Sequence, residues 1–422
     1  MVPSSPRVVW LQALLVAGVL AAAVHLWIGA AVVPFQGHGE RFATMAQAPL
    51  AFDGEIPHRV LWPVLAHGLG WLGLGPVGCS HLANMVLLLV VAWFVRLRVD
   101  SLLDAALVTA TVAAGGGVLV YHMPMACYSD TLNLALLALT VHFATRPAVF
   151  WSLVLLAALS HEMVLFFTPW LLWLRHRSGG LGMRDAAWFL GVLLVYGGYR
   201  VMVSGLAPAT GPSYGFLYYI LNNFWVPWLL PGLWALLVQV VLAEFGPLLV
   251  LAVAGWRADE PGSGGRVGAV LYLGCLLSLE LFAYDVMRFA SFLFLPVLLG
   301  GLAVVRLRHG RWLVLALLVA AVVAYSNEHP VPSMQGGVTF TRLQGEMMEL
   351  VGPHVHNNEI SSANAFAMQR QAFGLQWTTW VWVVAAWLAC GIVGVWLGRR
   401  GLAQSHANDA GNTPRTQRNA SP

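Results

Sequence analysis

Two carboxylates flank a glycine in Asp53-Gly54-Glu55, and His58-Arg59 follow at the head of an apolar stretch. A carboxylate beside glycine can approach a ligand closely, because the backbone there carries no bulk. With its pKa raised by burial, Asp53 could deprotonate a hydroxyl as a general base. Arg59 brings a planar fork suited to phosphate. The structural alternatives are an Asp53 that caps a turn and an Arg59 that snorkels among lipid head groups. A second group, Ser160-His161-Glu162, lies at the junction of two short apolar runs, where a carboxylate needs a partner or a substrate. Its structural alternative is an ion pair with Arg288 or Arg200 that locks the fold.

His122, Tyr128 and Asp130 make a third group, in which Asp130 either joins the chemistry or N-caps the helix that follows. Asp285 and Arg288 stand about one helical turn apart, so either they pair or Arg288 is a second phosphate ligand. Glu244, Glu280 and Arg200 sit within or near the ends of apolar runs and read as counter-ions or site groups. The catalytic candidates are therefore Asp53, Glu55 and Glu162. The substrate-binding candidates are His58, Arg59, His122, Asp130, His161, Asp285 and Arg288. His354, His356 and Glu359 have a metal-permitting spacing that also arises by chance, so no metal ligand is assigned and a divalent cofactor stays open. There is no Walker loop and no His-Glu-x-x-His.

Composition says what must hold these groups. Of 422 residues, 59% are hydrophobic and 9% charged, which excludes a soluble globule and indicates a polytopic membrane protein. All 22 basic side chains are arginine. Arg96/Arg98, Arg146, Arg175/Arg177, Arg257, Arg306/Arg308/Arg311 and Arg399/Arg400 close alternate apolar runs, and the candidate groups occupy the other ends. Arginine clusters mark cytoplasmic loops, so the candidates face outward. The net charge of +4 then reports orientation, not nucleic-acid binding.

About 20 apolar residues span a bilayer. The runs 8–33, 78–95, 102–120, 130–144, 148–160, 163–174, 185–203, 235–256, 267–283, 289–305, 312–325 and 377–397 give about twelve crossings with both termini cytoplasmic, the first being a retained signal anchor. The pair 148–160 and 163–174 is short for full spans, so its tip is expected within the depth of the outer leaflet. Residues 1–400 read as one integral-membrane domain. Within it, 34–76 is a first outer loop whose stretch 59–75 forms an interfacial helix. Residues 326–376 are an outer loop with an amphipathic helix at Thr341 to Val351, and 401–422 a disordered cytoplasmic tail. Cys79 and Cys127 both fall near the outer side, either as a disulfide or as two small buried thiols.

The long acidic first loop, the interfacial helix behind it, and the short outer junctions resemble the polytopic GT-C glycosyltransferases. The motifs that carry the likeness are His58-Arg59-Val60-Leu61-Trp62-Pro63-Val64-Leu65, Asp130-Thr131-Leu132-Asn133, Ser160-His161-Glu162 and Asp285-Val286-Met287-Arg288, over roughly 8–305. The resemblance implies an all-α, GT-C-like bundle in the bacterial inner membrane. It also implies a polyprenyl-phosphate-linked sugar donor, an envelope glycan, lipid or protein acceptor, and membrane lipids as surroundings. Asp53, or else Glu55, maps to the family's first-loop base. Asp53-Gly54-Glu55 departs from the family's paired Asp-Glu arrangement, and a large soluble C-terminal domain is missing. Two other classes compete: a transporter or flippase, and a non-catalytic envelope-assembly subunit.

Overall fold

The computed structural model describes residues 5–29, 32–34, 38–50, 58–120, 122–123, 126–206, 241, 245–257, 264–282, 289–327, 330–332 and 339–341. The apolar runs become helices with local start and stop signals. Helix α1 (Pro6–Ile28) begins where the Ser5 hydroxyl accepts from the Val8 N–H and Pro6 takes the first turn, and it stops at Gly29 with φ of 87°. Helices α2 (His38–Met45) and α3 (Leu61–Gly70) precede α4 (Pro76–Arg96) and α5 (Leu102–Ala114), which runs on into a π turn at Gly116–Val120. Helices α6 (Asp130–His142) and α7 (Pro147–Ser160), a 3-10 segment at Glu162–Phe167, α8 (Thr168–Gly179) and α9 (Met183–Leu206) follow. Among the described residues the remaining α-helices are α10 (Leu249–Arg257), α11 (Gly265–Phe282), α12 (Phe294–Val305) and α13 (Gly310–Asn327). Beyond them β1 (Pro330–Pro332) pairs antiparallel with β2 (Thr339–Thr341), Val331 opposite Phe340.

Among the described residues, α1, α4 and α9 are long and apolar enough to cross a membrane. Their exposed faces carry large apolar side chains, among them Leu11, Leu14, Leu15 and Val19 on α1 and Leu190, Leu194 and Val201 on α9. Such faces suit hydrocarbon and not water.

The ends of the helices are sorted. Arg96 Nε and Nη2 donate to Gln12 Oε1 at 2.9 and 2.5 Å, and Trp10 stacks on Trp93 at 5.1 Å. The start of α1 and the finish of α4 therefore share one end. His142, at the finish of α6, packs on the same Trp93 at 4.5 Å. Arg306 donates to the Arg98 carbonyl, and Arg311 pairs with Asp104 at 2.5 and 3.1 Å, bringing α5, α12 and α13 to that end as well. Among the described residues the arginine-bearing ends of α4, α12 and α13 thus come together at one end of the bundle.

A buried ion pair sits there. Arg175 Nε and Nη2 donate to the Asp185 carboxylate at 2.7 and 3.3 Å, and Nη1 donates to the Ala144 carbonyl at 3.0 Å. Trp151 Nε1 donates to the same carboxylate at 3.1 Å. With all three guanidinium nitrogens and both carboxylate oxygens engaged, the pair tolerates burial and ties α7, α8 and α9 together. Elsewhere α10 and α12 meet backbone to backbone. A Cβ at Gly255 would stand 2.6 Å from the Gly300 nitrogen, and one at Gly300 would collide with the Leu251 carbonyl. Close helix crossings of this kind require small residues.

Several expected boundaries change. The first helix is 6–28 and not 8–33, because Gly29 ends it. The run 102–120 divides at Gly115, and the interfacial stretch 59–75 contracts to the ten-residue α3, too short to span. The first outer loop contains the unforeseen α2, whose Phe42 packs edge-on against Trp62 of α3. Thr341, expected to open a helix, closes β2. The expected crossing 377–397 and the tail 401–422 lie outside the described residues.

Asp185→Asn is expected to cost about 3–5 kcal/mol, because it strands the buried Arg175 charge. The double variant Arg175→Met/Asp185→Leu should cost less than either single change. Thermal unfolding of the purified protein checks this; a single variant as stable as the parent would contradict the role assigned to the pair.

Candidate functional site

The site end of the bundle is built on a break. At His161 the backbone turns extended, φ −159° and ψ 126°, so α7 cannot continue into the next apolar run. The His161 ring takes over as cap: its Nδ1 accepts from the Met163 N–H at 3.3 Å and starts the 3-10 segment. Pro169 lacks the N–H that would otherwise bond back to the preceding turn, and the Thr168 hydroxyl bonds the Leu165 carbonyl at 2.6 Å. Phe167 stacks on Phe292 and packs against Tyr272, both at 4.9 Å, anchoring the segment to α11 and the start of α12. Glu162 is the residue this break presents.

Arg59, at the approach to α3, meets it. Arg59 Nε donates to Glu162 Oε2 at 3.0 Å and Nη2 to Oε1 at 2.7 Å, a bidentate fork across 103 residues of sequence. His58 Nε2 stands 3.4 Å from Oε1 and His161 Nδ1 3.5 Å from Oε2. The Glu162 side chain is 28% exposed against 13% for Arg59, 17% for His58 and 2% for His161, so the carboxylate is the most accessible of the four. From α9, Tyr196 and Arg200 complete the surroundings. Tyr196 lies in the field of Glu162, Arg59 and Arg200, and His58 in that of Arg200.

Burial alone would raise the Glu162 pKa, but the Arg59 guanidinium, helped by His58 and His161, holds the carboxyl well below its ordinary value. Burial lowers the His58 pKa, against the pull of Glu162 and with the help of Arg59 and Arg200. Glu162 is thus ionised and His58 neutral near pH 7. A carboxylate so depressed is a poor proton acceptor, since an effective general base titrates near the working pH. What Glu162 can do is accept hydrogen bonds from hydroxyl groups and hold Arg59 in place.

Behind this cluster lies a buried polar layer. Asn133 Nδ2 donates to the His161 carbonyl at 3.1 Å and the Ser160 hydroxyl to the Ser129 carbonyl at 3.3 Å. Asn84 Nδ2 reaches the His122 carbonyl at 3.5 Å, and the Cys127 N–H donates to Ser80 Oγ at 3.0 Å. His122 and Asp130 are both buried in this layer. Cys127 adopts φ of 74°, a left-handed conformation unusual for a residue with a side chain. Asp130 does not cap α6: Ser129 is the N-cap residue and Asp130 the first helical one, where a carboxylate still suits the positive end of the helix dipole. Cys79 and Cys127 are free buried thiols in one apolar cluster. Burial, then the neighbouring Cys79, pushes the Cys127 thiol up to about 12.

The structure therefore brings His58, Arg59, His161 and Glu162 into direct contact, with His122 and Asp130 in the layer behind. Asp53, Glu55, Asp285 and Arg288, like Glu244, His354, His356 and Glu359, lie outside the described residues. Glu162 pairs with Arg59, a combination the sequence did not suggest. Tyr196 is not singled out by the sequence, where Arg200 reads as a counter-ion or a site group; their joint signal is a Tyr and an Arg four apart in an apolar helix. Among the described residues no three His, Cys, Asp or Glu side chains form a metal-ligand group. Both Glu162 oxygens face Arg59, so this cluster is not laid out as a metal cradle. No family model, curated protein or solved structure matches the chain.

The pH dependence follows from the two shifts. Glu162 titrates lower folded than unfolded, so its contribution is present above its ordinary pKa of 4.5 and is lost as pH falls toward the depressed value. His58, also depressed, loses its contribution as pH falls below 6.5. Stability should therefore decline on acidification in both windows. Glu162→Gln should remove the lower one and cost about 2 kcal/mol at neutral pH. Unfolding measured across pH tests both; an unaltered acid limb in Glu162→Gln would contradict the assignment.

Proposed function

We propose that this chain is a membrane glycosyltransferase. It moves a sugar from a polyprenyl-phosphate-linked donor to an envelope acceptor at the outer face of the bacterial inner membrane. The topology that goes with the proposal is a GT-C-like bundle of about twelve crossings with both termini cytoplasmic. The observation that carries the reading is the half-buried cluster of His58, Arg59, His161 and Glu162 at the end of the bundle opposite the arginine-rich loops. Charged groups of this kind within apolar sequence are costly unless they serve a site.

In the proposed reaction a first-loop carboxylate, Asp53 or else Glu55, takes the acceptor hydroxyl proton. The acceptor oxygen then bonds the anomeric carbon. The bond from that carbon to the phosphate oxygen breaks, and its electron pair leaves with the polyprenyl phosphate. Glu162 is too acidic to be the base; it accepts hydrogen bonds from sugar or acceptor hydroxyls, oriented by Arg59. Asp285 and Arg288 keep their proposed substrate-binding roles. The leaving phosphate gains negative charge, which cationic side chains stabilise preferentially.

Transport is the second reading, and one observation favours it. The interruption between α7 and α8 puts a charged residue on a discontinuous helix pair, a feature of transporter sites. Counterflow of a labelled substrate in proteoliposomes separates the two classes.

Asp53→Asn is expected to slow transfer of labelled sugar from a polyprenyl-phosphate donor by about 100- to 10,000-fold, with the protein still folded by gel filtration. Glu162→Gln should weaken substrate binding more than it slows turnover. Transfer at the parental rate in Asp53→Asn would refute the role of that residue.

A further inference from the structure

Helix α9 is one of the three membrane-length helices, yet it carries Tyr196 and Arg200 one turn apart, on the same face. That face looks at the cluster, since Arg200 acts electrostatically on both Tyr196 and His58, and Glu162 and Arg59 act on Tyr196. The Tyr196 hydroxyl and Arg200 Nη1 are both inaccessible to water and find no acceptor among the described residues; Arg200 itself reaches the Tyr196 oxygen, which leaves the phenolic proton and Nη1 unspent. A buried guanidinium nitrogen left without an acceptor is expensive, as is a buried phenol. The carboxylate that could have satisfied them is already used: Arg59 takes both Glu162 oxygens. Among the described residues the cluster thus holds two guanidinium groups against one carboxylate, with one cationic and one phenolic donor unspent.

We propose that Arg200 and Tyr196 form the binding site for a phosphate group, with the Arg200 fork and the Tyr196 hydroxyl donating to its oxygens. Arg59 is not the phosphate ligand; its role is to fix Glu162. The phosphate chemistry is common to a soluble phosphate and to a lipid headgroup. The assignment deepens the proposed glycosyl transfer by naming the residues that hold the donor's phosphate, but it is tested by binding alone.

Full-length protein is placed in phosphatidylcholine nanodiscs. Its binding is measured for inorganic phosphate, for a polyprenyl monophosphate and for the uncharged polyprenol. The parent should bind at least one of the two phosphates and discriminate against the polyprenol. Binding of both phosphates identifies the group itself as the ligand, and binding of the lipid alone identifies a headgroup site; both support the assignment. Arg200→Gln should weaken phosphate binding by about 10- to 100-fold, and Tyr196→Phe by about 3- to 10-fold, as expected for charged and neutral hydrogen bonds. Arg200→Lys should recover part of the loss, because it restores charge without the fork.

Equal binding of polyprenol and its phosphate overturns the proposal. So does parental affinity in folded Arg200→Gln, or, should that variant fail to fold, in Tyr196→Phe. Phosphate binding that depends on Arg200 in a protein without transfer activity would keep the site and sink the glycosyltransferase reading. Parental binding in the variants alongside intact transfer would do the reverse.

Discussion

A carboxylate set into an apolar bundle stays ionised only if a cation is held against it, and for Glu162 that cation is Arg59. The fork between them joins the approach to α3 with the 3-10 segment after α7, across 103 residues. Much else at the site end depends on it. The fork fixes which way Glu162 faces, keeps its proton off, and uses Arg59 in doing so. It is also why Arg200 has an unspent donor. Two arginines that look alike in the sequence thereby differ in state, Arg59 engaged with a carboxylate and Arg200 with a buried nitrogen lacking an acceptor among the described residues.

The extended backbone at His161 is the local device behind this arrangement. A continuous helix from 147 to 179 would have carried Glu162 around the helix surface at a position set by the 3.6-residue period alone. The interruption frees one turn of the chain, and the His161 ring, Thr168, Pro169 and the Phe167 stack hold it in place. The polar layer formed by Asn84, Ser129, Asn133 and Ser160 then supports the turn from behind through the carbonyls of His161 and Ser129.

The helices and their sorting were legible in the sequence, because hydropathy and arginine placement are properties of each run by itself. Helices α4, α6, α7, α11 and α13 lie within about two residues of their expected runs. Helix ends decided by one residue's backbone conformation were less legible, as at Gly29 and Gly115. Helix α2 escaped notice because His38–Met45 contains Gly39, Glu40 and Arg41 and reads as polar loop; only its packing against Trp62 makes the helix worth forming. The importance of His58, Arg59, His161 and Glu162 could be seen as charge in apolar surroundings. Which of them pair could not, since both Arg200 and Arg288 were equally plausible mates for Glu162 on spacing alone. That choice is made by tertiary packing.

The Gly255–Gly300 crossing carries a mechanical corollary. Where two helices touch through side chains, rotamers can readjust and the pair can slide; where the backbones themselves abut, no such lubricant exists. Helices α10 and α12 therefore behave as a single stiff plank. Helix α9 is the contrasting case: none of its glycines abuts a neighbour and most of its surface is exposed, so it is freer to shift around a bulky guest.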